Sequence, residues 1–382
     1  MRILVACGGT GGHIFPALSF LEKLKSKRRD LDVIIVVTKR KIENRIVPAG
    51  YRVVQISVSP VRFWFKPGKA PCPEAEVPSR LAVPLDSANI MAMIRLLIGT
   101  IQSAGIILRF RPDIVVGFGS YTSFALVLFA KMLGIKTIIH EQNVAAGTSN
   151  RLLARFADRI AVSFDATREW FKPYSKKIIL TGNPKSQNMA RVDRREALRF
   201  FGLAEDKFTI LVMGGSQGSG KINRVFVECL SGIGNKNSLQ VIHLCGAGDF
   251  GGLSQEYSKT GISFKLYEFF EPMHYAYSAA DLAITRAGAT TISELIFFAV
   301  PAVIVPYPFA RQHQTANAGL ITQSSAAISI EDSVLNACLL KDIINDLFAN
   351  RGKINAMHKA YRQLQLAPCQ QDLSDAVLSL RG

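Results

Sequence analysis

The sequence predicts an α/β protein with two doubly wound, Rossmann-like domains. Its 382 residues suffice for two domains with separate cores. Short apolar runs alternate with helical patterns along most of the chain, which is typical of parallel sheets built from βα units. A glycine-rich turn follows the first predicted strand of each half. With 48% hydrophobic and 20% charged residues, the composition excludes a disordered or collagen-like chain.

Nine apolar runs are predicted to be strands. They occupy residues 3–7, 33–38, 114–118, 137–140, 159–164, 208–214, 240–244, 282–285 and 302–306. The domain seam is predicted at residues 181–184, because Gly and Asn-Pro stand there between a strand and a predicted helix at Arg194–Phe201. We therefore expect an N-terminal domain over 1–184 and a C-terminal domain over 185–365. The final segment, 366–382, has helical spacing and is expected to pack back on the first domain.

The positive charge is concentrated in the first half of the chain. The whole chain has 46 Lys and Arg against 29 Asp and Glu, a net charge of +17. Residues 1–180 have 27 basic and 12 acidic side chains, whereas residues 181–382 have 19 and 17. A basic face suits nucleic acid, anionic lipid or a phosphorylated substrate, and charge alone does not choose among these or a general role in solubility.

The cysteines and the start of the chain indicate a reduced, cytoplasmic environment. The six cysteines include no C-x-x-C pair, which argues against a disulfide framework, a zinc site and a redox motif. The five-residue apolar stretch before the first glycines is too short for a signal-peptide core. The D-x-D triplet at 30–32 precedes a strand instead of ending one, so no metal site is assigned.

The first glycine turn has the geometry of a phosphate cradle. Residues 8–13, Gly-Gly-Thr-Gly-Gly-His, follow the first strand and precede a helix. Backbone N–H groups and the helix dipole favour an anion there. The spacing departs from G-x-G-x-x-G, and no acidic residue closes the second strand, which disfavours NAD. His13 lies on this turn and is a candidate general base, with helix capping as the alternative.

Two more glycine turns follow predicted strands. Residues 214–220 form a second anion-cradling turn, and Ile222 after Lys221 excludes a Walker motif. Residues 117–121, Gly-Phe-Gly-Ser-Tyr, form the third turn. Three such turns suit a cleft that holds two phosphorylated ligands.

A polar constellation follows the strand at 282–285. Glu294 falls on the first turns of a predicted helix, where a carboxylate can accept both hydroxyls of a ribose. The alternative is a capping glutamate, because Thr291 with Glu294 fits T-x-x-E. Gln314 and Asn317 are predicted to point into the same cleft.

Five motifs together resemble the MurG family, the UDP-N-acetylglucosamine transferases that complete lipid II for peptidoglycan. The motifs are residues 8–16, 140–150, 214–218 and 286–294, and His313-Gln314 with Asn317. The resemblance implies a GT-B fold, with the active cleft between two Rossmann-like domains. It also implies inverting transfer of GlcNAc from UDP-GlcNAc to the C4 hydroxyl of MurNAc in lipid I, undecaprenyl-pyrophosphoryl-MurNAc-pentapeptide. The implied location is peripheral, on the cytoplasmic face of the bacterial inner membrane, with an anionic membrane surface but no nucleic acid as partner. No cofactor is expected, and the sequence does not indicate a divalent cation but leaves its assistance open.

The resemblance also implies roles for individual residues. His13 is expected to deprotonate the attacking hydroxyl. The expected donor-binding residues are Thr10, Gly11, Gly12, Asn143, Ser216, Gln217, Gly218, Phe270, Ala289, Thr290, Thr291, Ile292, Ser293, Glu294, Gln314 and Asn317. Among these, Phe270 is expected to frame uracil, Glu294 to bind the ribose and the Ser216 turn to bind the diphosphate. The acceptor-side candidates are Gly8, Gly9, Gly119, Ser120, Tyr121, His140 and Glu141.

The chain departs from the family pattern in three places. Lys185-Ser186 stand where the family usually has an x-Arg pair after Asn-Pro, and Ser120 stands where Gly is usual. The segment 63–84 is idiosyncratic. The three consecutive aromatic residues within 61–66 are either part of the core or an interfacial anchor. The apolar run 88–108 is expected to be a half-buried or interfacial helix.

Two other enzymes fit the same fold. One is a related GT-B transferase that glycosylates another lipid, such as diacylglycerol. The other is a UDP-GlcNAc 2-epimerase, which needs neither a lipid nor a basic, aromatic first half. The run His-Glu-Gln-Asn at 140–143 favours the peptidoglycan branch.

Overall fold

The chain folds into two compact units. The computed structural model describes residues 1–9, 11–39, 47–48, 50–58, 87–309, 313–364 and 369–381. The first unit comprises Met1–Ser186 and Ala367–Gly382, and the second comprises Gln187–Leu366. Thr10 and the aromatic segment 61–66 lie outside the described residues, as does 63–84.

The first unit is built on a parallel sheet with the strand order β3-β2-β1-β4-β5-β6-β7 in its described part. The strands are β1 (Arg2–Ala6), β2 (Asp32–Thr38), β3 (Arg52–Ile56), β4 (Ile114–Gly117), β5 (Lys136–Glu141), β6 (Arg159–Val162) and β7 (Ile178–Leu180). Leu4 of β1 lies opposite both Ile34 and Val115. Alternate β1 side chains enter two separate cores, because helices cover both faces of a doubly wound sheet.

Helices connect these strands in the order that a βα architecture requires. They are α1 (Gly11–Lys27), α2 (Ser87–Phe110), α3 (Ser120–Met132) and α4 (Thr148–Leu153), with a 3₁₀ run at Asp165–Lys177. Helices α1 and α3 each begin directly after a strand end and a glycine turn. The N-termini of both helices therefore lie at the edge of the sheet where β1 and β4 end.

The second unit repeats this plan with the described strand order β10-β9-β8-β11-β12-β13, all parallel. The strands are β8 (Phe208–Met213), β9 (Leu239–Leu244), β10 (Ser263–Tyr267), β11 (Leu282–Thr285), β12 (Ala302–Ile304) and β13 (Ala327–Ser329). The helices are α5 (Arg194–Phe201), α6 (Gly220–Leu230), α7 (Phe250–Ser258), α8 (Met273–Ala279), α9 (Ala289–Phe298), α10 (His313–Thr322), α11 (Ala337–Ala349) and α12 (Arg351–Gln363). Helix α5 coincides with the predicted helix.

All nine predicted strands are confirmed, with ends within two residues of the prediction. The sequence pattern missed β3, β7, β10 and β13. These are the outer strands of the two described sheets. Only Ile56 of β3 is fully buried, and no β10 side chain is. Edge strands have partners on one side only, so they lack the continuous apolar run that marks a central strand.

The C-terminal helix α13 (Leu373–Leu378) packs on α1 in the first unit. Leu373, Ala376 and Val377 join the core formed by α1 and one face of the sheet. At the surface, Lys27 of α1 donates to Asp372 and to Asp375, both at 2.6 Å. Asp372 also caps α13 by accepting from the backbone N–H of Asp375. Partial burial opposes ionisation, yet the bonds from Lys27 and the α13 backbone hold the pKa of Asp372 well below its usual range.

We predict that Asp372→Ala increases local opening of α13 at pH 7, because it removes both the cap and the ion pairs. A lost cap costs about 1 kcal/mol, or roughly fivefold in the opening equilibrium. Asp372→Asn keeps the cap and should have a smaller effect. Hydrogen exchange of residues 369–381 in the full chain measures both. Since the pKa is depressed in the folded state, the stabilisation is present above about pH 4 and is lost as the pH falls towards the folded pKa. Equal exchange in both variants and the wild type contradicts this account.

Candidate active site

The first glycine turn leads directly into α1. Gly9 has φ +95°, a conformation that favours glycine, and α1 begins at Gly11, so Gly11, Gly12 and His13 form its first turn. Gly8 is buried and Gly12 is exposed. The exposed N–H groups of such a turn suit an anion. His13 is half-buried inside the helix, so it is not the residue that precedes and caps it.

The third glycine turn packs against His13. Gly119 has φ +83°, and a Cβ atom there would lie 3.3 Å from Cε1 of His13. Glycine at 119 therefore lets the imidazole approach the turn. Ser120, where the family usually has glycine, adopts φ +64°, which costs a non-glycine residue roughly 1 kcal/mol. Ser120 and Tyr121 open α3 and are both half-buried.

His13 is the outer end of a hydrogen-bonded row of side chains. Its Nδ1 atom lies 3.1 Å from Oε1 of Gln142. The Nε2 atom of Gln142 lies 3.1 Å from Nδ1 of His140. His140 is fully buried, and its Nε2 atom lies 3.2 Å from the carbonyl oxygen of Gly182. Burial lowers the pKa of His140 to about 4, so its imidazole is neutral at neutral pH.

The buried carboxylate of Glu141 shapes the loop that follows β5. One of its oxygens accepts from the backbone N–H of Asn143 at 3.0 Å, and the other from Gly147 at 2.9 Å and Asn150 Nδ2 at 2.8 Å. The Asn143 side chain also donates to Glu141. The structure thus gives Glu141 a loop-organising role.

The second glycine turn is held between two loops of the second unit. A Cβ atom on Gly218 would collide with the carbonyl oxygen of Cys245, so only glycine fits. Ser216 and Gln217 at the tip are exposed, and α6 begins at Gly220. Arg286 holds this turn in place through hydrogen bonds. It donates to Ser219 Oγ at 2.9 Å and to Asp332 at 2.6 Å.

Asp332 receives a second basic group, Lys221 of α6, with Nζ 3.3 Å from Oδ2. Burial alone would raise the pKa of Asp332, but Arg286 and Lys221 hold it below the usual value. The sequence pattern did not predict this ion-pair network, because its members are distant in the chain. Their only signal was the place of Arg286 within a family motif.

Glu294 does not cap a helix. Helix α9 begins at Ala289 after Gly288, which places Thr291 inside the helix, so the T-x-x-E capping interpretation is wrong. The Glu294 carboxylate instead accepts from the hydroxyl of Tyr277 at 2.8 Å. Burial, and then the charge of Glu294, raise the pKa of Tyr277 well above its usual value, so Tyr277 remains a donor. The sequence did not single out Tyr277.

The rest of the predicted constellation surrounds the same helix start. Gln314 Oε1 accepts from the N–H groups of Ala287 and Tyr307, and Asn317 donates to the Ala287 carbonyl. Asn317 is fully buried, so its described bond holds the turn from inside. A ligand of Gln314 would meet its Nε2 amide, since both bonds use the oxygen. Ala289, Ile292 and Ser293 are buried, and Thr290 and Thr291 are half-buried.

Phe270 belongs to an aromatic cluster. Its ring lies 5.2 Å from that of Phe201 and 4.9 Å from that of Tyr267. The preceding residue, Phe269, is 54% exposed. An aromatic surface for a base is therefore present at 269–270, with Phe269 the more accessible ring.

Two further observations concern Lys185-Ser186, which follow Asn-Pro in the chain, and the side chains that could bind a metal ion. Ser186, at the position of the missing Arg, donates to Glu22 at 3.3 Å, and Lys185 is half-buried. Within the described ranges, no group of three or more His, Cys, Asp or Glu side chains could hold a metal ion.

Comparisons with known proteins agree across the chain. Residues 3–162 match the glycosyltransferase family 28 N-terminal domain, and residues 209–373 match the family 28 C-terminal domain. A Desulforamulus reducens protein, UDP-N-acetylglucosamine--N-acetylmuramyl-(pentapeptide) pyrophosphoryl-undecaprenol N-acetylglucosamine transferase, is 34% identical over 99% of this chain and 98% of its own.

Solved structures support the fold. The crystal structure of Acinetobacter baumannii MurG has a TM-score of 0.70 at 28% identity, covering 100% of this chain and 99% of its own. UDP-GlcNAc 2-epimerase from Neisseria meningitidis, bound to UDP-GlcNAc, has a TM-score of 0.59 at 12% identity, covering 100% and 99%. At that identity the likeness shows the fold alone. The predicted fold class, GT-B with two Rossmann-like domains, is confirmed.

We predict that Glu141→Gln lowers the free energy of unfolding of the first unit by about 2 to 3 kcal/mol, because an amide NH₂ would face buried N–H donors. Urea denaturation at pH 7 measures the change. Glu169→Gln, at an exposed pair with Lys172, is the matched control and should cost under about 1 kcal/mol. Equal losses in the two variants would show that the Glu141 contacts do not organise the loop.

Proposed function

The chain belongs to the MurG family of N-acetylglucosamine transferases, and from this membership we propose that it glycosylates lipid I. It is a UDP-GlcNAc-dependent glycosyltransferase. The acceptor is the C4 hydroxyl of MurNAc in undecaprenyl-pyrophosphoryl-MurNAc-pentapeptide, and the product is lipid II. The observation that carries the proposal is the 34% identity to a transferase of that name over 99% of the chain.

The second unit supplies groups suited to the donor. The exposed turn at Ser216, Gln217 and Gly218 precedes α6, and N–H groups there suit the diphosphate. Glu294, oriented by Tyr277, suits a ribose, because a carboxylate can accept from two vicinal hydroxyls. The aromatic pair at 269–270 suits uracil.

The first unit supplies the base. His13 takes the proton of the C4 hydroxyl as that oxygen attacks the anomeric carbon of GlcNAc from the face opposite UDP. The bond from the anomeric carbon to the diphosphate breaks, and UDP leaves with the electron pair. Attack from the opposite face inverts the anomeric centre and gives a β-1,4 linkage. Backbone N–H groups of the donor turn stabilise the leaving diphosphate.

The two alternatives have weaker support. A diacylglycerol transferase shares the fold and the donor chemistry, but the 34% identical relative is named for transfer to an undecaprenol-linked muramyl acceptor. The epimerase shares only the fold, at 12% identity.

We predict transfer of radiolabel from UDP-GlcNAc to a short-chain lipid I analogue by the wild-type chain. His13→Gln should lower kcat by about 100-fold or more, as expected for a general base. Glu294→Gln should chiefly raise the KM for UDP-GlcNAc, since it weakens a charged hydrogen bond worth about 1.5 to 3 kcal/mol. Glu169→Gln is the control. Transfer only to diacylglycerol, or formation of UDP-ManNAc without an acceptor, would overturn the assignment in favour of the corresponding alternative.

We propose further that the enzyme acts peripherally on the cytoplasmic face of the bacterial inner membrane, docking through α2. One face of α2 is buried, through Ala92, Ser103 and Ile107 among others, and the helix packs mainly on α3 and also on β3. The opposite face is an apolar stripe at helical spacing, formed by Ile90, Ile94, Leu97, Ile101 and Leu108, all 47–64% exposed. In the described part of the chain, α2 is the one helix long and apolar enough to cross a membrane, by length and composition only.

Three features favour an interfacial position for α2. One face of α2 already packs against the rest of the first unit, so only the opposite face is available to contact lipid. Arg95 in the middle of the helix would cost about 2.5 kcal/mol or more at a bilayer centre. The basic first half of the chain, with 27 basic against 12 acidic residues over 1–180, suits an anionic surface.

We predict that Leu97→Ser with Ile101→Ser weakens binding to phosphatidylglycerol-containing vesicles by tenfold or more, because two apolar side chains contribute roughly 1.5 to 3 kcal/mol each when fully buried. Vesicle sedimentation measures the bound fraction. Val334→Ser, at a similarly exposed apolar site in the second unit, is the control. Unchanged sedimentation of the double variant would exclude α2 as the docking surface.

A further inference from the structure

Gln142 is a buried amide with no role in the chemistry described so far. It is 1% exposed, and its side chain contacts the His13 ring on one side and the His140 ring on the other. A buried amide that bridges two imidazoles restricts the positions that protons can occupy on both rings.

The contacts of Gln142 determine which way its amide faces. Its Nε2 atom lies 3.2 Å from the carbonyl oxygen of Phe118 and 3.2 Å from that of His140. Both oxygens are acceptors only, so the NH₂ group must face them, and a flipped amide would bring oxygen against oxygen. The Gln142 carbonyl oxygen is thereby directed at His13.

This orientation determines the tautomer of His13. Gln142 Oε1 cannot donate, so Nδ1 of His13 must carry the hydrogen of their 3.1 Å bond. In the neutral ring, the remaining nitrogen, Nε2, then holds the lone pair. At the other end of the row, the Gln142 amide donates to Nδ1 of His140, whose Nε2–H donates to Gly182. Two acceptor oxygens thus assign the proton position on both rings, the Gln142 side-chain oxygen for His13 and the Gly182 carbonyl for His140.

We propose that Gln142 is a positioning residue for transfer, which locks neutral His13 in the Nδ1–H tautomer and so makes Nε2 the atom that receives the acceptor's proton. This inference rests on the proposed function for the role of the base, whereas the tautomer itself is independent of it. Without Gln142, the ring is free to adopt the Nε2–H form, in which no lone pair remains on that nitrogen.

The row also resists change at working pH. The backbone carbonyls of Phe118 and His140, which do not titrate, keep the Gln142 amide from rotating, because rotation would set the Gln142 oxygen against them. Gly119 leaves room for the His13 ring beside this row, since a side chain at 119 would contact Cε1 and Nδ1. The tautomer is therefore set before substrate binds, which removes one requirement from the reaction step.

The test combines nitrogen spectroscopy with kinetics on the full chain. Long-range ¹H–¹⁵N correlation spectra of ¹⁵N-histidine protein distinguish the two tautomers, and His13→Gln identifies the His13 signals among the six histidines. Wild-type His13 should be Nδ1–H. Gln142→Met offers Nδ1 of His13 only a weak sulfur acceptor, so it should shift His13 towards Nε2–H and lower kcat about tenfold, with the KM for UDP-GlcNAc unchanged.

Two further variants separate positioning from folding. Gln142→Glu, in its protonated form, can donate its hydroxyl to the carbonyl of Phe118 or His140 and keep its carbonyl oxygen opposite Nδ1 of His13. It should therefore preserve the Nδ1–H tautomer and have a higher kcat than Gln142→Met. Gln240→Met removes a comparably buried glutamine in the second unit and should leave the His13 spectrum unchanged.

Nε2–H His13 in the wild type, or an unchanged tautomer in Gln142→Met, would overturn the proposal. A shifted tautomer with unchanged kcat would overturn its catalytic part. If the tautomer shifts as expected but the wild type transfers no sugar to lipid I, the tautomer assignment stands and the proposed function fails.

Discussion

Parallel strands that are covered on both faces constrain everything else in this chain. Because such strands are buried, each must turn into its following helix at one edge of the sheet, and that edge is where backbone N–H groups remain available. In the first unit, the turns after β1 and β4 meet there, close enough that a Cβ atom on residue 119 would contact the His13 ring. In the second unit, the turns after β8 and β11 are joined by Arg286.

The buried polar groups at these edges serve mainly to hold the backbone in place. Glu141 fixes the loop after β5, Asn317 fixes the turn before α9, and Arg286 with Asp332 braces the turn before α6. Each would be costly to bury without a partner, and each is satisfied by bonds to loops or strand ends. The more exposed positions, such as Ser216, Gln217 and Gly12, are the ones accessible from solvent. Residues of one sequence motif therefore differ: the buried polar ones hold the backbone in place, whereas the exposed ones remain accessible.

The sequence predicted the centres of both sheets but not their edges. A central strand is buried on both faces and shows as an apolar run, whereas β3 and β10 are largely exposed or half-buried and lack that run. The glycine turns were predicted because their signal is local. The side chains that contact His13 and Glu294 were not predicted. Gln142 meets His13 across 129 residues, and Tyr277 meets Glu294 only once α8 and α9 are packed. Glu294 looked like a cap because T-x-x-E is a local pattern, and only the start of α9 at Ala289 excludes it.

The proposed reaction is an in-line displacement of UDP by the C4 hydroxyl of the acceptor, with His13 as the base. The most direct measurement is the NMR structure of the linkage in the product of a single turnover, made from α-linked UDP-GlcNAc and a lipid I analogue. We expect a β linkage to C4 of MurNAc. An α linkage, or a bond to another hydroxyl, would contradict it.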